Sequence, residues 1–403
     1  MLRLTSILAV ILIPSCALTQ TSGDPVTQGD PNVPEFEPAF ENQTRAPAMS
    51  SGEEFEQSVL AGPLEHPWGI AELPDGSFLV TERPGRMRMI AADGSLSEPI
   101  AGVPEVLNRG QGGLLDVNIS PDFASDRMVY WTYAKPLGGG MSVTAAARGV
   151  LSEDGTSLSG VEDIFVQEPP SPTPMHYGSR IVFDGDGFAF ITTGEHSARE
   201  ERTQAQDLNT TYGKVIRVRP DGSVPDDNPF VGQDGAIDTI WAYGLRNPQG
   251  ADIHPRTGAL WTLEHGPRGG DELNQPEPGR NYGWPVITYG EEYSGAAIGA
   301  SQTQAEGMEQ PVYYWDPVIA PGGFIFYDGD AFPEWQGDVL AGSLYPGGLV
   351  RLEMDGDRVV GEERLVRDIG RVRDVEQTSD GRVLLLTDEP NGEVIVLAPA
   401  GPS

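Results

Sequence analysis

Past about residue 58 the chain is built of short apolar runs, rich in β-branched and aromatic residues and bounded by Gly, Pro and Asp. Phe78-Leu-Val-Thr81, Met128-Val-Tyr-Trp-Thr-Tyr133, Phe188-Ala-Phe-Ile-Thr192, Ala259-Leu-Trp-Thr-Leu263, Val339-Leu-Ala341 and Val383-Leu-Leu-Leu-Thr387 are the clearest. Their length and residue types predict strands, and long amphipathic helical patterns are nearly absent. A turn sequence precedes each run, among them Leu73-Pro-Asp-Gly76, Phe183-Asp-Gly-Asp-Gly187 and Ser379-Asp-Gly381. Ahead of the turn stands another short strand, as in Trp68-Gly-Ile-Ala71, Leu115-Asp-Val-Asn-Ile119 and Arg180-Ile-Val-Phe183. Six diverged copies of strand, turn and strand predict an all-β fold over residues 58–400, a six-bladed β-propeller of four-stranded antiparallel blades. An irregular β-sandwich is the alternative, and six similar units are hard to accommodate in one. Spacing between the copies is uneven, so insertions fall on loops, the largest between Gly266 and Gly322.

The first residues read differently. Arg3, the apolar run Leu4 to Ile13 and then Pro14-Ser15-Cys16 have the form of a secretory signal over residues 1–15, too short to span a bilayer. Ile13-Pro14-Ser15-Cys16 resembles a bacterial lipobox, which predicts lipidation at Cys16 and attachment to the periplasmic side of the envelope; an ordinary signal cut later is the alternative. Cys16 is the single cysteine, so the exported domain holds no internal disulfide and rests on its packed core. Residues 16–57 are polar, rich in Pro, Thr, Glu and Gln and without periodicity, and read as a flexible tether.

Sixty acidic residues against 26 Lys and Arg give a net charge of −34. Such a field repels nucleic acid and anionic lipid and excludes both as expected partners, leaving the membrane to the lipid anchor alone. No heptad or long apolar edge marks a partner surface, so a monomer is expected.

Against this acidic background a few polar motifs at strand ends carry the candidate chemistry. His176, before the strand Arg180-Ile-Val-Phe183, is placed to take a proton from a hydroxyl near neutral pH, or serves structure. Arg246 and Asn247, after the strand Ile240-Trp-Ala-Tyr243, suit a carboxylate or quinone oxygen, or tie loops to backbone carbonyls. Gly266 and Pro267 can expose carbonyl oxygens, and Asp271, Glu272 and Tyr282 add more oxygen of the kind calcium prefers, without EF-hand spacing. Arg371 and Arg373 stand two apart in a strand-like stretch near Asp374 and share a face, either to hold a polycarboxylate or as a salt-bridged surface pair.

Taken together, Gly110-Gln-Gly-Gly-Leu-Leu115, His176-Tyr-Gly-Ser-Arg180, Gly244-Leu-Arg-Asn-Pro-Gln-Gly250, Glu264-His-Gly-Pro267 with Asp271-Glu272, Asn281-Tyr-Gly-Trp284 and Arg373-Asp-Val-Glu376 resemble the soluble glucose and sorbosone dehydrogenase family, in particular its bacterial aldose sugar dehydrogenases. The resemblance runs from about His66 to Leu397 and implies a six-bladed propeller. It also implies a pyrroloquinoline quinone cofactor, a calcium ion, and oxidation of an aldose at C1 to a lactone, with electrons passing to a periplasmic acceptor. On this resemblance His176 is the general base and Arg246 the cation beside the quinone oxygens. Gln111, Asn247, Arg371 and Arg373 complete the cofactor or substrate cradle. The carbonyls of Gly266 and Pro267 hold the calcium at the cofactor, and Asp271, Glu272 and Tyr282 resemble a second, structural calcium site.

Two positions depart from the family pattern. Tyr345 stands where many relatives place a basic residue, and Val318 where they often have a small hydroxyl residue. Loss of a cation from an anion site weakens binding by roughly ten- to hundredfold. These departures support a second reading, a calcium-containing propeller that binds carbohydrate or protein at the envelope without redox chemistry. A calcium-dependent lactonase is a third, by fold analogy alone.

Overall fold

The computed structural model describes residues 23–401, so the signal sequence and Cys16 lie outside the described residues. Six antiparallel sheets succeed one another along the chain: five have four strands and one has three. Their first strands, Pro67–Glu72, Leu114–Ile119, Gly178–Phe183, Pro248–Ile253, Pro321–Phe326 and Val372–Gln377, touch one another in cyclic order and form the inner ring of a six-bladed β-propeller.

The turn chemistry acts as its sequence indicates. In the Asp-Gly turns at Asp75, Asp93, Asp154 and Asp221 the carboxylate accepts the amide two residues on, at 2.9–3.2 Å. The glycine in each has positive φ, from 69° to 83°.

The second strands of the blades, such as Phe78–Glu82, Ala189–Thr193, Leu260–Glu264, Val339–Ser343 and Val383–Thr387, are buried on both faces, which explains runs that are apolar throughout rather than alternating. In the last blade Leu384 and Leu386 pack on the first blade with Ile70 and Val80. Leu385, between them, faces the fifth blade with Leu340 and Tyr327. Each neighbouring pair of blades thus shares its own apolar core.

The ring is closed by Phe55–Leu64, which runs antiparallel to Gly392–Pro399 and supplies the outermost strand of the last blade. The first blade departs from the expected four strands. After Arg86–Ile90 the chain turns at Gly94 and leaves only an isolated bridge from Ile90 to Leu96 before a Pro- and Gly-bearing loop.

The expected tether also differs. From residue 23 the segment lies against blades four and five, with Val26, Val33, Gln43 and Ala46 buried. Asp316 accepts the Asn32 amide and side chain at 2.8 Å and the Val33 amide at 2.9 Å. Arg45 donates to the Asp316 carbonyl, and Gln43 donates to the Pro311 carbonyl and accepts the Tyr289 hydroxyl. Hydrogen bonds to fixed acceptors order this segment, so its polar composition misleads. Deleting residues 23–48 is expected to lower the thermal unfolding midpoint by about 5 °C or more. An unchanged midpoint in a melting experiment would mean that the segment adds no stability.

Candidate active site

Every inner strand breaks register with its neighbour at its first residues. Such bulges re-aim side chains at barrel and propeller rims. The expected site residues Gln111, His176, Arg246, Asn247, Arg371 and Arg373 all lie in or beside these bulged starts, and so on one face of the ring.

His176 is 5% exposed and holds φ 45°, a left-handed conformation that an unbranched polar residue tolerates with strain. Its amide donates to Gln111 Oε1 at 2.8 Å, and its Nδ1 lies 3.0 Å from Glu195 Oε2. Glu195 is fully buried; Oε1 accepts Trp284 Nε1 at 3.1 Å and Oε2 accepts the Ser197 amide. Burial holds His176 below the usual histidine range, helped by the Arg246 charge and opposed by Glu195. For Glu195 burial acts upward, but His176, Arg246 and the Ser197 amide outweigh it and leave the carboxyl below its ordinary value. Both shifts favour a neutral imidazole beside a carboxylate at pH 7. A carboxylate can only accept from Nδ1–H, which leaves the Nε2 lone pair free.

Arg246 is fixed on three sides. Its backbone amide and that of Asn247 both donate to Glu264 Oε2, at 2.6 and 3.2 Å. Its Nη1 donates to the carbonyls of His265 and Gly266, at 2.9 and 2.6 Å, and the guanidinium lies over Trp284, 5.2 Å from the ring centre. The buried Nε has no acceptor among the described residues. Asn247 Oδ1 accepts the Gly178 amide at 3.0 Å and so ties the second motif to the first.

Arg371 and Arg373 converge on Asp388 Oδ2 at 3.2 and 2.6 Å. Arg373 also donates to Gln249 Oε1 at 2.6 Å, and Gln249 Oε1 lies 3.0 Å from His265 Nε2. Burial is the largest influence on Asp388 and acts upward; the charges of Arg373 and Arg371 and the His66 hydrogen bond outweigh it and hold the carboxyl well below its usual range. These groups border a cleft of about 180 Å3 that Gln111, Trp68 and Arg83 also line. The salt-bridged pair and the anion cradle, two readings of the same arginines, are therefore compatible. Tyr345, at the rim, is 67% exposed and brings no charge.

Two of the residues expected at calcium also serve the fold. Asp271 Oδ1 accepts the Gly266 amide, and Oδ2 accepts those of Ile319 and Ala320. These contacts shape the glycine loop and, as with the three donors on Glu264, leave carboxylate lone pairs over. The Tyr282 hydroxyl donates to Gln275 O and accepts the Glu277 amide, so it too is engaged. Among the described residues no three His, Cys, Asp or Glu side chains are arranged to hold a metal.

The remaining donors do suit a hard cation. Asn274 Nδ2 bridges Glu264 Oε1 and Glu272 Oε2 at 3.1 and 3.2 Å, while its buried Oδ1 has no partner. Burial pushes Glu264 up to about 7; Glu272 rises well above its usual value through burial and then the Glu264 charge. A buried and a half-buried carboxylate that repel each other beside an orphaned amide oxygen, bordering the same small cavity as Gly266 and Pro267, are chemically matched to calcium.

Glu195, Asp388 and Arg83 were not singled out by sequence, and Glu264 and His265 were quoted only as members of a motif, without a role. All lie at or just past the end of a blade's second strand. Because that strand runs antiparallel to the first, its end returns to the face where the first strand begins. A further cavity, of about 310 Å3, lies further along the inner strands, where Arg180 pairs with Asp116 and Asp374 across the channel. None of the catalytic candidates borders it.

A family model described as Glucose / Sorbosone dehydrogenase matches residues 64–396. The aldose sugar dehydrogenase YliI of Escherichia coli (strain K12) is 44% identical over 344 residues, 85% of this chain and 92% of that protein. Among solved structures, the apo form of the soluble aldose sugar dehydrogenase of Escherichia coli aligns with a TM-score of 0.83 at 42% identity, over 86% of this chain and 100% of that one. The PQQ-bound form of an aldose sugar dehydrogenase from Streptomyces coelicolor aligns with a TM-score of 0.71 at 28% identity, over 86% of this chain and 98% of that one. On the propeller, the site at its rim and these matches, the chain belongs to the glucose/sorbosone dehydrogenase family of oxidoreductases.

Proposed function

We propose that this protein oxidises aldose sugars at C1 to the lactone with pyrroloquinoline quinone as cofactor and calcium beside it. The observation that carries the reading is the neutral His176, held by Glu195 at 3.0 Å and flanked by the fixed Arg246 and the arginine cleft. In the reaction the C1 hydroxyl loses its proton and C1 its hydride. When bound, the quinone supplies the acceptor for that hydride and its electron pair.

The chain's residues supply the rest. His176 Nε2 takes the hydroxyl proton, and Glu195 holds the ring in the tautomer that leaves Nε2 free. Arg246, locked by two carbonyls and an indole face, presents a fixed cation where negative charge develops. Arg371, Arg373 and Gln111 bind anionic or carbonyl oxygens, and Asn247 fixes the backbone under His176. The carbonyls of Gly266 and Pro267, with Glu272 and Glu264 behind them, would hold calcium, which acts as a Lewis acid toward the cofactor. Lipidation at Cys16, a periplasmic location, a periplasmic electron acceptor and a monomeric state belong to the same proposal.

The test is titration of calcium-loaded protein with pyrroloquinoline quinone, followed by its absorbance, and then addition of an aldose. Saturable binding with bleaching on sugar addition is the expected result. Absence of binding at tens of micromolar would overturn the reading in favour of a non-redox propeller, the function to which the uncharged, exposed Tyr345 is suited.

A further inference from the structure

Arg83 follows the strand Phe78–Glu82 of the first blade and lines the same cleft as Arg371 and Arg373. Its guanidinium is held in place by backbone alone. Nε donates to the Gly112 carbonyl at 3.2 Å, and Nη2 donates to Gly110 and Gly112 at 2.5 and 3.0 Å. Among the described residues Nη1 has no hydrogen-bond acceptor and no carboxylate pairs with Arg83, whereas Arg371 and Arg373 share Asp388. Three guanidiniums against one carboxylate leave this cleft at +2, inside a chain of net charge −34. Burial lowers the Arg83 pKa; Asp388 opposes that, and Arg373 and Arg371 add to it, so the three cations sense one another. Such a concentration of like charge is costly in the absence of an anion, and it focuses field on an anionic ligand.

We propose that Arg83 is a ligand-binding residue of this cleft, the third cation for an organic polycarboxylate and the replacement for the charge that Tyr345 does not bring. The assignment rests on the quinone-binding reading above. Anchoring on two glycine carbonyls fixes the fork before the ligand arrives, so little side-chain entropy is lost on binding. The same anchoring shapes the loop that presents Gln111, and the experiment separates the two roles.

Calorimetric titration of the calcium-loaded protein with pyrroloquinoline quinone compares wild type, Arg83→Gln and Arg83→Lys. Arg83→Gln removes charge and fork and is expected to raise Kd about ten- to hundredfold. Arg83→Lys removes the fork on Gly110 and Gly112 but keeps a point charge, and is expected to lose less than Arg83→Gln, under about tenfold. A wild-type Kd retained in Arg83→Gln overturns the role of Arg83 while leaving the quinone reading intact. A tenfold loss in a folded Arg83→Lys protein also overturns it, because the residue would then act only through the loop. If Arg83→Lys does not fold, the salt dependence of Kd in Arg83→Gln decides: a weaker dependence than wild type supports the charge, and an unchanged one overturns it. No binding by wild type would instead overturn the quinone reading itself.

Discussion

Replacing His176 is expected to lower kcat by about 10^2- to 10^4-fold, the range assigned to a positioned general base, with quinone affinity little changed. The choice of substitution matters because His176 sits at φ 45°. Asparagine adopts the left-handed region more readily than other non-glycine residues, so His176→Asn removes the base with less backbone strain than His176→Ala. A loss common to both variants then reports the imidazole, and an extra fall in melting temperature confined to alanine reports the backbone. Steady-state kinetics with quinone bound provides the check. Turnover within a factor of a few of wild type in the asparagine variant would remove His176 from the mechanism and leave Arg246 and the cleft as a binding site only.

The propeller was legible because its repeat is written in local chemistry. The turns at Asp75, Asp184 and Asp380 recur between apolar runs, and each works through a contact two residues long. Closure by Phe55–Leu64 was not legible, since its partner Gly392–Pro399 lies at the other end of the chain and nothing local marks the pairing. The segment from residue 23 was misread for a related reason. It is ordered by Asn32, Gln43 and Arg45 reaching Asp316, Pro311 and Tyr289, contacts that polar composition cannot announce.

Site residues divide in the same way. His176, Arg246, Arg371 and Arg373 open inner strands and stand out beside glycines. Glu195, Asp388 and Arg83 close second strands, and they become visible only once antiparallel pairing returns both ends to one face. Asp271 was read as a metal ligand from the oxygen it adds beside Glu272 and Tyr282 and from the family resemblance. Here three backbone amides claim its two oxygens, which is how the loop at Gly266 acquires its shape.

The second large effect is expected at Glu195, through its control of His176. The carboxylate accepts three donors: His176 Nδ1 and the Ser197 amide on Oε2, and Trp284 Nε1 on Oε1. Glutamine has one oxygen and one amide nitrogen for the same three donors, so one side must face a donor with a donor. If the NH2 turns toward Trp284, a buried N–H is orphaned. If it turns toward His176, Nδ1 must become the acceptor and the proton moves to Nε2, where it blocks the base. Either outcome lowers kcat, and Glu195→Gln is expected to lose about 10- to 10^3-fold. A purely structural role would give the same loss, so the pH profile is the informative measurement. A base acts in its unprotonated form, hence kcat/KM rises with pH through the His176 pKa, and the depressed pKa places that acid limb below 6.5 in the wild type. Removing the negative charge that raises the His176 pKa should move the limb to still lower pH in Glu195→Gln. An acid limb that stays in place, or moves upward, would show that Glu195 does not act on His176 through its charge.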